Sequence, residues 1–245
     1  EDQFFHARKT MDGLSSFIDL NYNICITHGN GPQVGNELLR MDLTNEQVPP
    51  LPLGICVANT QGQMGYMIQQ TLQNKLRDMN VDREVVTLVT QVIVDKNDKS
   101  INHPTKYIGP RYSLDKISQL SKKYNWKIKE QEPGSWRRVV PSPMPEYIMH
   151  GKSIKALVDR ETIVIAFGGG GIPVYNDEKN KIEGLDAVID KDFSAAKMGR
   201  IIRAQELWII SDIDYVYSNF DKENQTPIKE ISFKDLYTLY NKNKF

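Results

Sequence analysis

The sequence predicts an α/β fold: a three-layer sandwich with a central, mostly parallel sheet flanked by helices, plus a small protruding lobe. Apolar runs at residues 24–28 and 162–167 indicate buried strands, and each run leads directly into a glycine cluster. Helical patterns alternate with such strands, and strand–helix–strand order at this spacing is typical of right-handed parallel crossovers.

The first part of the chain alternates helix and strand signals. A stripe of apolar residues at spacings of three and four predicts one N-terminal helix: Phe4, Ala7, Met11, Leu14 and Ile18. After the strand at 24–28, Pro32 can begin a helix that continues over 34–40. Asn59 is a candidate N-cap for a long helix whose apolar positions reach Leu76. Residues 85–89 then indicate the next buried strand.

The pattern changes from about residue 91 to residue 145, where prolines are frequent and helix and strand periods fade. We therefore expect an inserted lobe at about 91–145 within a single domain over residues 1–245. The main pattern then resumes with a helix at 153–158, a strand at 162–167, a hairpin at 176–181, a helix at 192–204, a strand at 207–210 and a short helix at 235–240.

Composition excludes several classes of protein. Lys plus Arg total 31 and Asp plus Glu total 31, so no net field favours nucleic acid or an acidic membrane surface. No apolar run approaches the roughly 20 residues that a membrane helix needs. The two cysteines, one of them inside a predicted strand, predict reduced thiols and a cytoplasmic location. We expect a small-molecule ligand, with no nucleic acid and no membrane as partner.

Two glycine clusters follow predicted strands. They contain Gly29, Asn30 and Gly31 in the first, and Gly168, Gly169, Gly170 and Gly171 in the second. Consecutive glycines cost conformational entropy and pack no side chain, but they let backbone N–H groups approach an anion closely. In open α/β sheets, ligands bind beyond the carboxyl ends of the strands. The second cluster therefore predicts an anion site. The first, taken alone, is equally compatible with a simple strand-to-helix turn, but the amides of Asn30 and Gln33 beside the exposed backbone favour ligand contact.

A third candidate is the segment 184–192, in which Lys191 begins a predicted helix near Asp186, Asp190 and Asp192. Asp190 or Asp192 can cap that helix, which accounts for the carboxylates without a ligand. An ammonium at a helix N-terminus is unfavourable unless an anion binds there too. The acids can organise the lysine or bind a divalent metal, and the pattern favours a functional site.

Other segments have a structural and a functional interpretation. Asp212 and Tyr217 follow the strand predicted at 207–210 and form either a polar loop or a rim of the same crevice. Lys106, judged from the residues alone, is an ordinary solvated lysine. The segment 136–138, Trp-Arg-Arg, indicates a strand with a packed tryptophan and exposed arginines more than a binding site.

Together these motifs resemble the amino-acid kinase family, and within it the carbamate kinases. Matching segments follow the family's order along almost the whole chain, at 28–35, 61–66, 89–91, 104–106, 136–143, 168–173, 184–192 and 211–214. The resemblance implies phosphoryl transfer between carbamoyl phosphate and ADP, giving ATP and carbamate, as in arginine catabolism. It also implies Mg²⁺ with ATP or ADP, and a cytoplasmic homodimer.

The resemblance implies roles on the substrate side. Gly29, Asn30 and Gly31 would form part of the carbamoyl-phosphate pocket. The N–H groups of residues 168–171 would face the transferring phosphoryl group, and Lys106 would neutralise the phosphate of the substrate.

On the nucleotide side, the resemblance implies that Lys191 bridges the nucleotide phosphates, with Asp186 as its organiser. Asp212 and Tyr217 would lie along the nucleotide site. Lys106, Lys191 and Asp186 are thus the expected catalytic residues, and no protein ligand to a metal is expected.

Family members begin with a strand that ends in a Gly-Gly-Asn turn and finish with a Gly-Pro-Lys segment, and neither motif occurs in the 245 residues. We therefore expect this chain to be weak or inactive and a longer version with both segments to be active. Two alternatives stay open: another amino-acid kinase, such as an acetylglutamate or uridylate kinase, or a non-catalytic ligand sensor on the same fold.

Overall fold

The computed structural model describes residues 2–211 and 213–242. The chain divides into two compact units, Glu1–Gln205 and Glu206–Phe245. The single domain and the lobe bounds expected from the sequence stay predictions. Among the described residues, no helix combines the length and the apolar character needed to cross a bilayer.

The first unit alternates helices and strands as an α/β fold requires. Its helices are α1 (Asp2–Asp12), α2 (Ser15–Asp19), α3 (Gly31–Thr44), α4 (Leu53–Asp78), α5 (Lys99–Asn102), α6 (Leu114–Tyr124), α7 (Gly151–Val158) and α8 (Lys191–Ile202). Its strands are β1 (Cys25–Thr27), β2 (Val85–Leu88), β3 (Gln91–Val94), β4 (Lys106–Tyr112), β5 (Lys127–Glu132), β6 (Ser135–Val140), β7 (Pro145–Ile148), β8 (Ile163–Ala166), β9 (Ile172–Asn176) and β10 (Ile182–Gly184).

The central sheet has the order β1-β8-β2 with all strands parallel. A second sheet, β10-β9-β3-β7, continues from it, because β3 follows β2 after two residues and β9 follows β8 after residues 167–171. In this second sheet β3 and β9 are parallel, whereas the edge strands β10 and β7 are antiparallel to their neighbours. The predicted fold class is confirmed.

Helices cover both faces of the central sheet. Alternate residues of β8 point to opposite faces, as the two-residue period of a strand requires. Ile163 and Ile165 belong to an apolar core with residues of α1, α2 and α4. Val164 and Ala166 belong to a second core with residues of α7 and α8. These are the three layers of the sandwich.

The chain between β3 and β7 builds a separate antiparallel sheet, the lobe sheet, with the order β4-β6-β5. Helix α6 buries Ile117 and Leu120 and packs on β5 and β6. Ile108 and Val140 of this sheet join a third apolar cluster with residues of α3 and α4. The sheet is therefore held against the body of the first unit by apolar packing.

The second unit is small. It contains β11 (Val216–Ser218) and β12 (Thr226–Ile228), which form an antiparallel pair, and α9 (Phe233–Asn241). The helix predicted at 235–240 is confirmed. Ser232 caps α9, since its hydroxyl accepts a hydrogen bond from the N–H of Asp235.

Three predictions about single elements were wrong. The N-terminal stripe forms two helices, because the chain turns at Gly13, whose N–H bonds to the carbonyl of Thr10. Helix α4 begins at Leu53 after Pro52 and contains Asn59, which therefore does not cap it. In the described part of the chain residues 207–210 belong to no strand, and their side chains are exposed, whereas a buried strand was predicted there.

Candidate active site

A cavity of about 210 Å³ lies in the first unit beside the glycine run. It brings together segments that are far apart in sequence: Asn30 and Gly31 at the start of α3, Lys106 at the start of β4, Arg137 on β6, and residues 168–171 between β8 and β9. All three sequence-predicted segments of the substrate side therefore contribute to the cavity, and Gly29 directly precedes Asn30.

Each glycine of the run is required by close packing. A Cβ at Gly168 would lie 2.7 Å from Cγ of Gln61, and one at Gly169 would lie 2.5 Å from Oδ1 of Asn30. A Cβ at Gly170 would meet the backbone carbonyl of Ile189. Gly169 and Gly171 also have positive φ, at 62° and 94°. These glycines were expected to serve anion access, and close packing in the fold also requires them.

Asn30 joins the first glycine cluster to α4. It stands at the N-cap of α3 without a capping side-chain bond, and its Nδ2 donates to Oγ1 of Thr60 at 2.9 Å. Gly31 and Pro32 then open the helix, as expected for proline in a first turn. The positive end of a 14-residue helix consequently borders the cavity, which favours an anionic ligand there.

Lys106 has a carboxylate partner. Its Nζ lies 3.1 Å from Oδ2 of Asp190, and Oδ1 of Asp190 accepts the N–H of Asp192 at 3.0 Å as the N-cap of α8. Burial alone raises the pKa of Asp190, but hydrogen bonds from the N–H of Asp192 and from Lys106 outweigh it and leave the pKa below its ordinary value. The capping interpretation of Asp190 is therefore correct, and Lys106 is not simply a solvated lysine.

Lys191 lies at the N-terminus of a helix as the sequence predicts, whereas Asp186 contacts a different residue from the one expected. Lys191 is the first residue of α8, and its Cδ lies 4.0 Å from the position that a Cβ on Gly29 would occupy. Asp186 binds Nη2 of Arg138 at 2.7 Å and accepts the N–H of Leu53 at 3.3 Å. Among the described residues, the ion pair of Asp186 is with Arg138 and not with Lys191, so its role as organiser of Lys191 stays a prediction.

The two arginines of β6 make contacts that were not predicted from the sequence. Arg137 lines the cavity and donates from Nε to the carbonyl of Gly109 at 3.0 Å. Burial, together with the positive charge of Arg111, lowers the pKa of Arg137. Arg138 has a side chain that is only 12% exposed, with its guanidinium 4.9 Å from the ring centre of Trp126. The expectation of exposed arginines was wrong. Arg137 contacts the neighbouring strand at Gly109, and Arg138 packs against Trp126 and pairs with Asp186.

The two expected nucleotide residues near the C-terminal side stay predictions. Asp212 lies outside the described residues. Tyr217 lies on β11 of the second unit, opposite Pro227 of β12.

Neither cysteine is a candidate nucleophile. Cys25 and Cys56 are unpaired thiols, and burial raises the pKa of Cys25 to about 12 and that of Cys56 to about 11. A thiol with so high a pKa stays protonated near neutral pH and reacts slowly.

Comparisons with known proteins agree with this architecture. A family model described as the amino acid kinase family matches residues 2–244. The carbamate kinase of Pyrococcus furiosus is 39% identical over 100% of this chain and 78% of its own length. A carbamate kinase of Staphylococcus epidermidis is 40% identical over 100% of this chain and 80% of its own length.

Among solved structures, the carbamate kinase from Giardia lamblia bound to AMP-PNP is 32% identical, with a TM-score of 0.92 over 99% of this chain and 77% of that one. The family resemblance drawn from the motifs is thus confirmed, and the chain belongs to the amino acid kinase family.

Proposed function

We propose that this protein is a carbamate kinase, which transfers a phosphoryl group between carbamoyl phosphate and ADP to give ATP and carbamate. The observation that carries the proposal is the cavity in which Lys106 and Arg137 meet the four-glycine run and the N-terminus of α3. Relatives named carbamate kinase are 39% and 40% identical over the whole chain, which supports the same reaction here.

Phosphoryl transfer requires the protein to position the reacting groups in line and to neutralise the charge on the transferred group. We assign the first task to the pocket at Gly29, Asn30 and Gly31, and the second to backbone N–H groups of residues 168–171 and to Lys106. Lys106 pairs with Asp190 at 3.1 Å, so a bound phosphate competes with a carboxylate for the same ammonium. The ion pair with Asp190 holds the lysine in place before the substrate arrives.

The nucleotide side of the proposal rests on α8. Lys191 stands at the N-terminus of this 12-residue helix, where the helix dipole and the ammonium attract the same phosphates. Asp186 ties the Lys106-bearing lobe sheet to the start of α4 through Arg138 and Leu53. We keep Asp212 and Tyr217 as proposed nucleotide contacts. The Giardia lamblia relative binds AMP-PNP.

Mg²⁺ enters this proposal as part of the nucleotide substrate. Within the described residues, no group of three or more His, Cys, Asp or Glu side chains could hold a metal ion. Mg²⁺ commonly binds through substrate phosphates with one or two carboxylates, and Asp190 and Asp192 are the carboxylates next to Lys191. The homodimer and the cytoplasmic location likewise stay proposals.

The proposal is tested by coupling ATP formation to a reporter enzyme with ADP and carbamoyl phosphate as substrates. Lys106→Ala and Lys191→Ala should each lower kcat by roughly 10²-fold or more, because removing one preorganised charge-stabilising group costs that much. The matched control is Lys155→Ala. Lys155 lies on α7 and pairs with Asp159, directly after that helix, so its removal should leave the rate unchanged.

Binding of ADP is measured beside turnover, so that a loss of rate can be distinguished from a loss of affinity for the nucleotide. Rates unchanged in both variants would contradict the assigned roles. Binding of carbamoyl phosphate without any ATP formed, by this chain and by a longer version, would favour the ligand-sensor alternative.

A further inference from the structure

Thr90 ties both ends of the four-glycine run to one point of the sheet. It lies between β2 and β3 and is 1% exposed. The N–H of Phe167, just before the run, donates to Oγ1 of Thr90 at 3.2 Å. The N–H of Ile172, just after the run, donates to the carbonyl of Thr90 at 3.0 Å. The entry and the exit of the run are therefore bonded to the same residue.

Gln61 in turn holds Thr90 in place. This residue of α4 is fully buried. Its Oε1 accepts the N–H of Thr90 at 2.8 Å, and its Nε2 donates to the carbonyl of Thr90 at 3.2 Å. The side-chain amide thus acts like the peptide group of a neighbouring strand at a point where β2 has ended and β3 has not begun. Removing either partner leaves buried polar groups unpaired.

The run needs such support because it has no side chains of its own. Glycine loses more backbone freedom on ordering than any other residue, so four in succession tend toward many conformations. The preceding residue, Phe167, is buried and has a φ of 69°, which is rare for an aromatic residue and persists only when the surroundings enforce it. The hydrogen bond to Oγ1 of Thr90 comes from the N–H of this same residue, so Thr90 supports the chain where its backbone conformation is unusual.

We propose that Thr90, held by Gln61, is a positioning residue that presets the four-glycine run for phosphoryl transfer. This inference rests on the proposed function, in which the N–H groups of the run stabilise the moving phosphoryl group. Donors act in catalysis when they are already aimed at the developing charge, and a small displacement of them lowers the rate steeply. Substitutions of Thr90 or Gln61 that break these hydrogen bonds should therefore lower kcat, while the affinity for ADP stays unchanged.

The test compares Thr90→Val with Thr90→Ser. Valine has the shape of threonine but removes the hydroxyl that accepts the N–H of Phe167, whereas serine keeps it. We expect Thr90→Val to lower kcat by about tenfold or more, with the Kd of ADP within about twofold of wild type. The reason is that both hydrogen bonds of Oγ1 are lost, the one from the N–H of Phe167 and the one to the carbonyl of Leu88. Thr90→Ser should keep most of the wild-type kcat.

The matched control is Thr71→Val. Thr71 is also a buried threonine, 5% exposed, and its hydroxyl donates to the carbonyls of Met67 and Ile68 inside α4. This variant loses a buried hydroxyl away from the cavity and should keep the wild-type kcat. A loss of rate as large as that of Thr90→Val would mean that any buried hydroxyl matters, and it would overturn the positioning role.

If Thr90→Val does not fold, Gln61→Glu replaces it, because this change keeps an acceptor for the N–H of Thr90 but loses the donor to its carbonyl. A folded variant of either kind with wild-type kcat overturns the proposal, and failure of both to fold assigns the pair a purely structural role and overturns it too. If neither this chain nor the longer version forms ATP, the proposed function fails first. An active wild type with an equally active Thr90→Val removes only the positioning role.

Discussion

At the scale of single residues, Asp190 makes two interactions with one carboxylate. Oδ1 caps α8 through the N–H of Asp192, and Oδ2 pairs with Lys106 of the lobe sheet. Burial disfavours the charged form, but these partners favour it more, so the pKa of Asp190 is below its ordinary value. One charge therefore contributes both to helix α8 and to the position of Lys106.

Asp190→Asn should lower the free energy of unfolding at pH 7 by less than about 1 kcal/mol. Asparagine keeps the capping oxygen but loses the charge that attracts Lys106, and the pair is partly exposed to solvent. Because the folded-state pKa of Asp190 is lowered, its contribution is present above the ordinary aspartate pKa of about 4 and is lost as the pH falls through the folded-state value. Urea unfolding at pH 7 and in acid measures this difference.

Lys106→Met in the Asp190→Asn background is the control for this attribution. It should cost less than Lys106→Met alone, because the partner charge is already gone. A difference between wild type and Asp190→Asn that grows on acidification would contradict the assigned sign.

At the scale of elements, α4 shows how two glycines of one helix have opposite roles. The helix is 26 residues long and packs on the sheet. Gly65 is buried, and a Cβ there would meet the side chain of Thr87 on β2. Gly62 is exposed, and a Cβ there would meet nothing within 4 Å. The first glycine therefore allows a close approach of helix and sheet, whereas the second only weakens the helix.

Gly62→Ala should raise the free energy of unfolding by up to about 1 kcal/mol, because alanine favours the helix over the unfolded chain. Gly65→Ala should lower it by about 1–3 kcal/mol, since the added methyl overpacks the contact with Thr87. Urea unfolding of both variants measures the two signs. The two sites lie in the same helix, so a change of the same sign in both would show that helix propensity, and not the contact with β2, determines the outcome.

At the scale of the first unit, the central sheet separates two apolar cores. Ile18 of α2 lies in the core with α1 and α4, and Ile154 of α7 lies in the core with α8. Both side chains are buried, at 3% and 0% exposure. Because the sheet lies between them, a change in one core should leave the packing of the other intact.

Ile18→Val and Ile154→Val should each lower the free energy of unfolding by about 0.5–1.5 kcal/mol. In the double variant the two losses should add within about 0.5 kcal/mol, as for sites without shared neighbours. Denaturant unfolding of the two single variants and the double variant tests this.

A comparison pair lies within one core. Ile18 and Ile163 belong to the same cluster, so Ile18→Val and Ile163→Val should depart from additivity more than the first pair does. Equal coupling in both pairs would mean that the sheet does not separate the cores.

Several elements could be predicted because their signal is local. The buried strand at Ile163–Ala166 is a continuous apolar run, and its glycine run follows in sequence. The start of α4 could not be predicted from Asn59, because Pro52 ends the preceding extended segment earlier. The strand predicted at 207–210 failed for a different reason, since a strand needs a hydrogen-bonded neighbour and apolar residues do not specify one.

The candidate site was also predicted only in part from the sequence. Glycine clusters and Lys106 were identified from motifs, and the fold brings them to one cavity. Arg137 and the partners of Asp186 were missed, because residues that meet across the lobe sheet and the body are distant in sequence. The functional roles of all these residues stay predictions.

The amino-acid sequence by itself determined the alternation of helices and strands, the family and the residue types at the candidate site, because periodicity and motifs are properties of neighbouring residues. Only the tertiary structure decided that Asp190 pairs with Lys106, that Asp186 pairs with Arg138, and that Thr90 joins both ends of the glycine run. These contacts join residues far apart in the chain, and packing of three layers and a lobe, not local preference, brings their atoms within bonding distance.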